Sequence, residues 1–422
     1  MNGTALLKEI DFKEYLLGFN LDNQIGLFDD YENRTEVETI EIDGKRYSKF
    51  INEYWTSRQR QASTLHEISY RACFKAQLPR FFINLFTNEG DIVYDPFSGR
   101  GTTAIESALM GRNVISNDIN PLSKILSAPR LAIPSIYEIK ERLNEIHIDR
   151  KDKAEIDLSM FYHHDTEAEI VSLKKYLYDR QNTKKEDYID SWIRMVATNR
   201  LTGHSKGFFS VYTLPPNQAI LPENQRKINE KRNQIPSYRN TKELIIRKSK
   251  SLANNVSSQQ RIQLSAIAKK ALFLAKDARW TNEIPDESVQ LTVTSPPFLD
   301  VIQYIEDNWL RCWFNNINID EVEKNITITK SITQWCNVIS DVFKELYRIT
   351  QIGGCVAFEV GEIKDGKIKL DEYVIPLGVK AGFCCEGIIV NRQSFTKTSN
   401  IWGVKNNAKG TNTNRIVVFS NN

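Results

Sequence analysis

Cysteine is scarce in this sequence, six in 422 residues, and no two of them stand as C-x-x-C. That spacing excludes a disulfide framework and a paired-thiolate zinc site, so Cys73, Cys312, Cys336, Cys355, Cys384 and Cys385 are expected as reduced core thiols. Histidine is scarcer still, at five. The adjacent pair His163-His164 is expected at a helix start with its side chains diverging, which favours a capping role and no metal site. Long apolar runs are missing as well. Nothing approaches the ~20 apolar residues of a membrane span, and the first ten residues lack the apolar core of a signal peptide, so the expectation is a cytoplasmic protein without a membrane partner. Charge of one sign is also lacking, because 56 Lys and Arg against 53 Asp and Glu leave a formal +3. Overall charge therefore names no partner. What remains is a globular composition, 41% hydrophobic and 26% charged, in a chain long enough for two or three structural units around a large core.

The charge is uneven along the chain. Through position 45 eleven acids oppose four bases, which marks residues 1–50 as an acidic peripheral arm. Between Leu221 and Gln260 nine bases oppose three acids in a segment poor in large apolar residues. Such a run is either a solvated helical face or connection, or a surface for phosphates, since closely spaced cations displace counterions from a nucleic-acid backbone.

Strand and helix patterns alternate on either side of it. Residues 91–95 form a short apolar run, Thr102 to Met110 reads as a helix stopped by Gly111, and residues 113–118 read as a second strand, together one βαβ unit. Apolar runs at 272–275, 289–294, 355–360, 387–390 and 416–419 bring the strands to seven. Their alternation with helices predicts an α/β fold, a Rossmann-like, doubly wound seven-stranded sheet interrupted by a long insertion.

Two motifs carry chemistry. Asp95-Pro96-Phe97-Ser98-Gly99-Arg100-Gly101-Thr102-Thr103 follows the first strand and opens the helix, where Gly99 and Gly101 let the backbone turn tightly and approach a ligand. Asp118, closing the second strand, can accept both hydroxyls of a ribose, and Asn120 follows it. A dinucleotide fingerprint requires G-x-G-x-x-G, but Ala104 holds the third glycine position. An acid at the end of the first strand, Asp95, suits a cationic amino-acid portion better than a diphosphate, so the cofactor expected is S-adenosyl-L-methionine.

Thr294-Ser295-Pro296-Pro297-Phe298 follows the strand 289–294. In the doubly wound order this strand lies beside the first, and its carboxyl end faces the Gly99 turn across the switch-point crevice. The prolines remove donors and leave carbonyls, notably that of Pro296, beside the Ser295 hydroxyl. An exocyclic amino group can donate to these acceptors while Phe298 stacks on its base, a contact worth ~1–3 kcal/mol in single-strand binders.

With these motifs the chain resembles the amino-methyltransferases of DNA, and the serine of Ser295 to Phe298 resembles the cytosine-N4 branch, as adenine-N6 enzymes usually carry Asp or Asn there. The segment Ser57 to Phe82, with Arg58, His66, Phe74 and Pro79, is similar to the family's cover over the methionine moiety. By the same resemblance Asp277 in Lys276-Asp277-Ala278-Arg279 contacts the adenine amino group. Lys397 to Asn400 and Gly410 to Arg415 are further similar stretches.

The resemblance divides the chain into the arm, a cofactor half at 51–135, an inserted target-recognition region at 136–264 and a catalytic half at 265–422. It implies double-stranded DNA as substrate, a cognate restriction endonuclease as partner, and DNA contacts from His204, Lys206, Arg226, Lys227, Lys231 and Arg232. None of the six cysteines follows a proline, which argues against a cytosine-C5 nucleophile. Adenine-N6 transfer, RNA amino-methylation and a non-catalytic nucleic-acid-binding role are the competing readings. Trp309, Trp313 and Phe314 are expected in a core helix face, Tyr304 nearer the pocket, and Asp300 and Asp307 either at the substrate or solvated.

Overall fold

The computed structural model of the chain describes residues 11–20, 34–55, 62–71, 73–214, 220–297, 304–325, 331–363, 368–392 and 413–422. Its strands are β1 (Glu36–Ile42), β2 (Lys45–Asn52), β3 (Ile92–Asp95), β4 (Asn113–Asn117), β5 (Leu272–Leu274), β6 (Val289–Thr294), β7 (Thr350–Val360), β8 (Glu362–Ile363), β9 (Ile368–Lys369), β10 (Cys384–Arg392) and β11 (Thr413–Ser420). Nine of them form one sheet in the order β1-β2-β10-β11-β7-β6-β3-β4-β5, while β8 and β9 pair separately. From β5 to β7 the strands are parallel, and β11 runs antiparallel between β7 and β10. This is the doubly wound α/β sheet, with all seven expected strands in it.

The two additional strands come from the arm. Residues 36–52 alternate charged and apolar side chains on either side of Asp43-Gly44, both with positive φ, the signature of a tight hairpin turn. β2 then pairs parallel with β10, so the limit between residues 50 and 51 falls inside a strand. The acids have a structural use here: Glu36, Glu38 and Glu41 are exposed along β1, the sheet's edge, where charge discourages a further strand from pairing. A helix, Phe12–Leu17, buries Phe12 and Leu16, with the Phe12 ring 5.4 Å from that of Phe86. The arm is thus partly core.

Side-chain alternation sorts the strands onto two cores. Val93, Val293, Ala357, Ile416 and Val418 meet the helix Gln77–Phe86 on one face, while Tyr94, Val356, Phe358, Val417 and Phe419 meet the helices Ile332–Ile349 and Leu370–Ala381 on the other. The insertion is helical and shares a core with the cofactor half. Trp192, Ile193, Val196 and Ile245 lie in the same apolar cluster as Ala104, Ile105, Leu122 and Leu126. The basic run folds into the helices Pro222–Arg232 and Thr241–Leu252, each with one buried stripe or anchor, and is not a loose connection. Among the cysteines Cys312 is buried, but Cys384 is exposed where the start of β10 leaves the core, contrary to the expectation of six core thiols.

Candidate active site

β3 ends at Asp95 and the chain turns into the helix Thr102–Leu109. Gly99 has φ +52° and Gly101 +75°, the left-handed region where a side chain is strained. At Gly101 a Cβ would also stand 2.2 Å from Ser127 Oγ, so contact and backbone both demand glycine. Asp118 closes the turn from β4: its Oδ2 accepts the Gly99 amide and its Oδ1 the Asn120 amide, each at 2.9 Å. Burial pushes the Asp118 carboxyl above its ordinary value.

A residue that sequence reasoning passed over holds three strand ends together. Asn117 is fully buried; its amide donates to Pro96 O at 3.3 Å and Lys276 O at 2.9 Å, and its Oδ1 accepts the Lys276 amide at 3.0 Å. The signal was a buried polar residue closing an apolar strand, because such a group must find partners.

These ends open onto a cleft of about 1050 Å³, counting its open mouth. Eight expected cofactor positions line it: Pro96, Phe97, Ser98, Gly99, Thr102, Asp118, Asn120 and Asp277. The other three stand behind the wall. Gly101 starts the helix, and Thr103 donates to Val293 O at 3.1 Å. Asp95 is 1% exposed and accepts from Thr294 Oγ1 at 2.7 Å and the Phe97 amide at 3.1 Å, tying the end of β3 to that of β6. Burial, only partly offset by these bonds, raises its carboxyl to about 7. On the far side the Asp277 carboxylate is held by Arg279 through Nε at 3.0 Å and Nη2 at 2.6 Å.

The cover comes from the segment before β3. Tyr70, Arg71, Cys73 and Phe74 line the cleft, and Arg100 reaches back to donate to Ile68 O at 2.9 Å and His66 O at 3.3 Å. His66 turns away from the cleft to meet the buried Glu106 at 2.6 Å, and Pro79 lies in the helix Gln77–Phe86. Arg71 Nη1 binds Asp307 at 2.8 Å, so Asp307 is a buried partner and not a solvated acid.

Opposite the glycine turn, Ser295 and Pro297 line the cleft and Pro296 does not. Trp335 Nε1 donates to Pro297 O at 3.1 Å, fixing the turn. The residue sequence reasoning missed here is Glu359. It sits on β7 one position beyond the partner of Thr294, is buried, and takes hydrogen bonds from the Ser295 and Asn414 side chains. Burial outweighs those bonds and lifts its carboxyl to about 7. A lone acid in the apolar run Cys355–Val360 was the available signal. Tyr304 opens the helix Tyr304–Phe314, in which Phe314 is fully buried and Trp309 and Trp313 are partly buried against the same core. Phe298, Asp300, Arg58 and the stretches 397–400 and 410–412 lie outside the described residues.

The expected DNA contacts fall in two places. On the helix Pro222–Arg232, Lys227 and Lys231 are exposed, Arg226 pairs with Asp157 at 2.7 Å, and the Arg232 guanidinium lies 3.8 Å from the centroid of the Tyr212 ring. His204 and Lys206 are exposed on a separate loop. His163 caps its helix, its Nδ1 accepting the Asp165 amide at 3.2 Å. The rings of His163 and His164 do not diverge as expected: their centroids are 4.1 Å apart, because the cap residue lies outside the helical spiral.

Comparison with known proteins points to one family. Residues 14–125 match the N6/N4 methyltransferase family model, described as DNA methylase. The type II methyltransferase M.BsoBI of Geobacillus stearothermophilus is 23% identical over 67% of this chain and 60% of its own length. The type II methyltransferase M.MvaI of Kocuria varians is 22% identical over 67% of this chain and 63% of its own. The orphan methyltransferase M.BamHII of Bacillus amyloliquefaciens is 45% identical over 14% of this chain and 23% of its own. The chain thus spans about 60% of the first of these relatives. No helix among the described residues is long and apolar enough to cross a membrane. The part of the chain that carries the glycine turn and one wall of the cleft is thus similar to the DNA methylases of the N6/N4 family.

Proposed function

We propose that the chain transfers a methyl group to the exocyclic N4 of cytosine in duplex DNA. The observation that carries this reading is the Ser295 hydroxyl at the end of β6, facing the cleft and backed by the buried Glu359. The cleft fits S-adenosylmethionine by its chemistry. Gly99 offers backbone without a side chain, Asp118 offers a carboxylate for ribose hydroxyls, Phe97, Val338 and Val342 offer apolar walls for adenine, and Asp277 offers an acceptor for its amino group. Asp95 supplies negative charge behind the turn for the ammonium end. When bound, the cofactor supplies an electrophilic methyl group on a sulfonium.

The rest falls to the protein. The target cytosine leaves the duplex at a cost of a few kcal/mol, and Ser295 accepts a hydrogen bond from its amino group. That bond holds the nitrogen lone pair toward the methyl group, and such orientation is a large source of rate. As the N–C bond forms and the S–C bond breaks, N4 gives a proton to Ser295 Oγ, which passes its own to Glu359. A carboxylate lifted to about 7 suits that task near neutral pH. The type II designation of the relatives supports a place in restriction-modification, with a cognate endonuclease as partner.

The test is direct. Incubation with labelled S-adenosylmethionine and unmethylated genomic DNA, followed by nucleoside mass spectrometry, should yield N4-methyldeoxycytidine. N6-methyldeoxyadenosine would overturn the choice of base, and labelled RNA with unlabelled DNA would overturn the substrate.

A further inference from the structure

Arginine clusters in folded proteins are normally offset by carboxylates, because like charges held close repel. One cluster in the insertion is not. Arg200, Arg239 and Arg247 converge on the loop Gly203–Phe208, and none of the three has an ion-pair partner among the described residues. Arg239 Nη1 donates to Ser205 O and Phe208 O, both at 3.0 Å, and Arg247 Nη2 to Lys206 O at 3.1 Å, so two guanidiniums support the loop from beneath. Arg200 is 8% exposed, lies with its guanidinium 3.9 Å from the Phe208 centroid, and turns Nε and Nη2 to Asn199. Its Nη1 has no protein partner among the described residues. Lys206 and His204 are exposed on the same loop, and Glu67, a carboxylate that acts on Arg200, is engaged by Lys248 at 3.2 Å. Crowding is felt within the cluster: burial first, then repulsion from Arg311 and Arg247, brings the Arg200 guanidinium down to about 10.

At the centre of this charge is a glycine. A Cβ on Gly207 would lie 3.8 Å from Arg247 Nη2 and 4.0 Å from Arg200 Nη1, ordinary contact distances, and the backbone there has no positive φ. Glycine is therefore not required by the fold. Its bare backbone lies between two guanidinium ends, with the Ser205 hydroxyl 3.4 Å from the same point.

The cluster is tied to the cleft. Asn199, beside Arg200, donates to Ser69 O at 3.3 Å, and Arg311 donates to the same carbonyl at 3.1 Å; the next two residues, Tyr70 and Arg71, line the cleft.

We propose that Arg200, Arg247, Lys206 and the bare Gly207 form a phosphate clamp for the DNA strand that delivers its base to the cleft. This rests on the reading of the chain as a DNA methyltransferase and places the main backbone contact on the 203–208 loop. Guanidiniums suit it because their planar fork binds phosphate oxygens in pairs.

The test uses the full chain and a random-sequence 30-base-pair duplex, with affinity measured by fluorescence anisotropy across ~50–200 mM salt. The double variant Arg247→Gln with Lys206→Gln should weaken binding about tenfold at the low end and reduce the salt slope by about 1–2, with calorimetric affinity for S-adenosylmethionine unchanged. Gly207→Ala, which removes no charge, should also weaken binding, and Arg247→Lys should retain most of it. If these variants bind duplex with wild-type affinity and slope while the wild type methylates genomic DNA, the clamp is wrong and the function stands. If the wild type neither binds nor methylates DNA, the functional reading fails and the clamp with it.

Discussion

The two walls of the cleft each hold one buried carboxyl lifted to about 7, Asp95 behind the glycine turn and Glu359 behind Ser295. Burial is the leading cause in both. Their partners differ. Asp95 accepts from Thr294 and Phe97 and binds two strand ends together, whereas Glu359 accepts from the Ser295 hydroxyl. Under the proposed function the same physics gives one wall a latent charge for binding and the other a base for turnover, and only the partners tell them apart.

The sharpest way to break this contrast is Ser295→Ala. It removes the acceptor on the target wall, so kcat should fall on the order of 10²-fold or more while affinity for S-adenosylmethionine, measured by calorimetry, stays within twofold. Unchanged turnover would leave Glu359 without a route to the substrate. Glu359→Gln comes next, with kcat lower by about 10–100-fold. Because the carboxylate must be ionised to take a proton, wild-type turnover at saturating substrates should rise as pH climbs toward about 7 and level off above it. The Gln variant should lose that rise, and a profile that kept it would assign the titration elsewhere.

Asp95→Asn should act on the other side of the contrast, raising the dissociation constant for S-adenosylmethionine about tenfold through loss of one nearby charge. Its effect on stability has a defined sign. The folded carboxyl titrates above its unfolded value of ~3.9, so its contribution is intact below that value and lost as pH rises through about 7. Free of ligand, Asp95→Asn should therefore melt higher than wild type at pH 8 and show a clearly smaller gain at pH 5. A gain of equal size at both values would point to packing. The smallest effect is expected from Lys227→Glu with Lys231→Glu: they lie on an exposed helix apart from the 203–208 loop, and the pair should weaken duplex binding about two- to threefold by anisotropy. A loss exceeding that of the Arg247 and Lys206 double variant would move the main contact back to this helix.

Much of the sheet was legible because short β-branched runs ended by turn residues have few alternatives. All seven runs became strands, and β6 spans residues 289–294 as read. The hairpin at 36–52 was not legible because Glu36, Glu38 and Glu41, a residue type depleted in strands, mask its alternation and its Asp43-Gly44 turn. In the cleft, glycines and prolines were legible because each restricts the backbone by its own covalent structure. Asn117 and Glu359 were harder, since a polar residue in a strand acquires meaning only from what lies opposite. In the insertion the count of bases was legible, but Arg226 pairs with Asp157 while Arg200, Arg239 and Arg247 form no ion pair among the described residues.

By itself the sequence determined the backbone: seven strands, a glycine turn after the first, a proline turn after the fourth of them in space, and a basic insertion between the halves. These follow from local periodicity and from residues whose conformational limits are their own. Only the tertiary structure decided which charges are cancelled and which are held in reserve, because Coulomb energy and desolvation depend on distance and burial. It set Glu359 against Ser295 and left three arginines converging on the loop that carries Gly207.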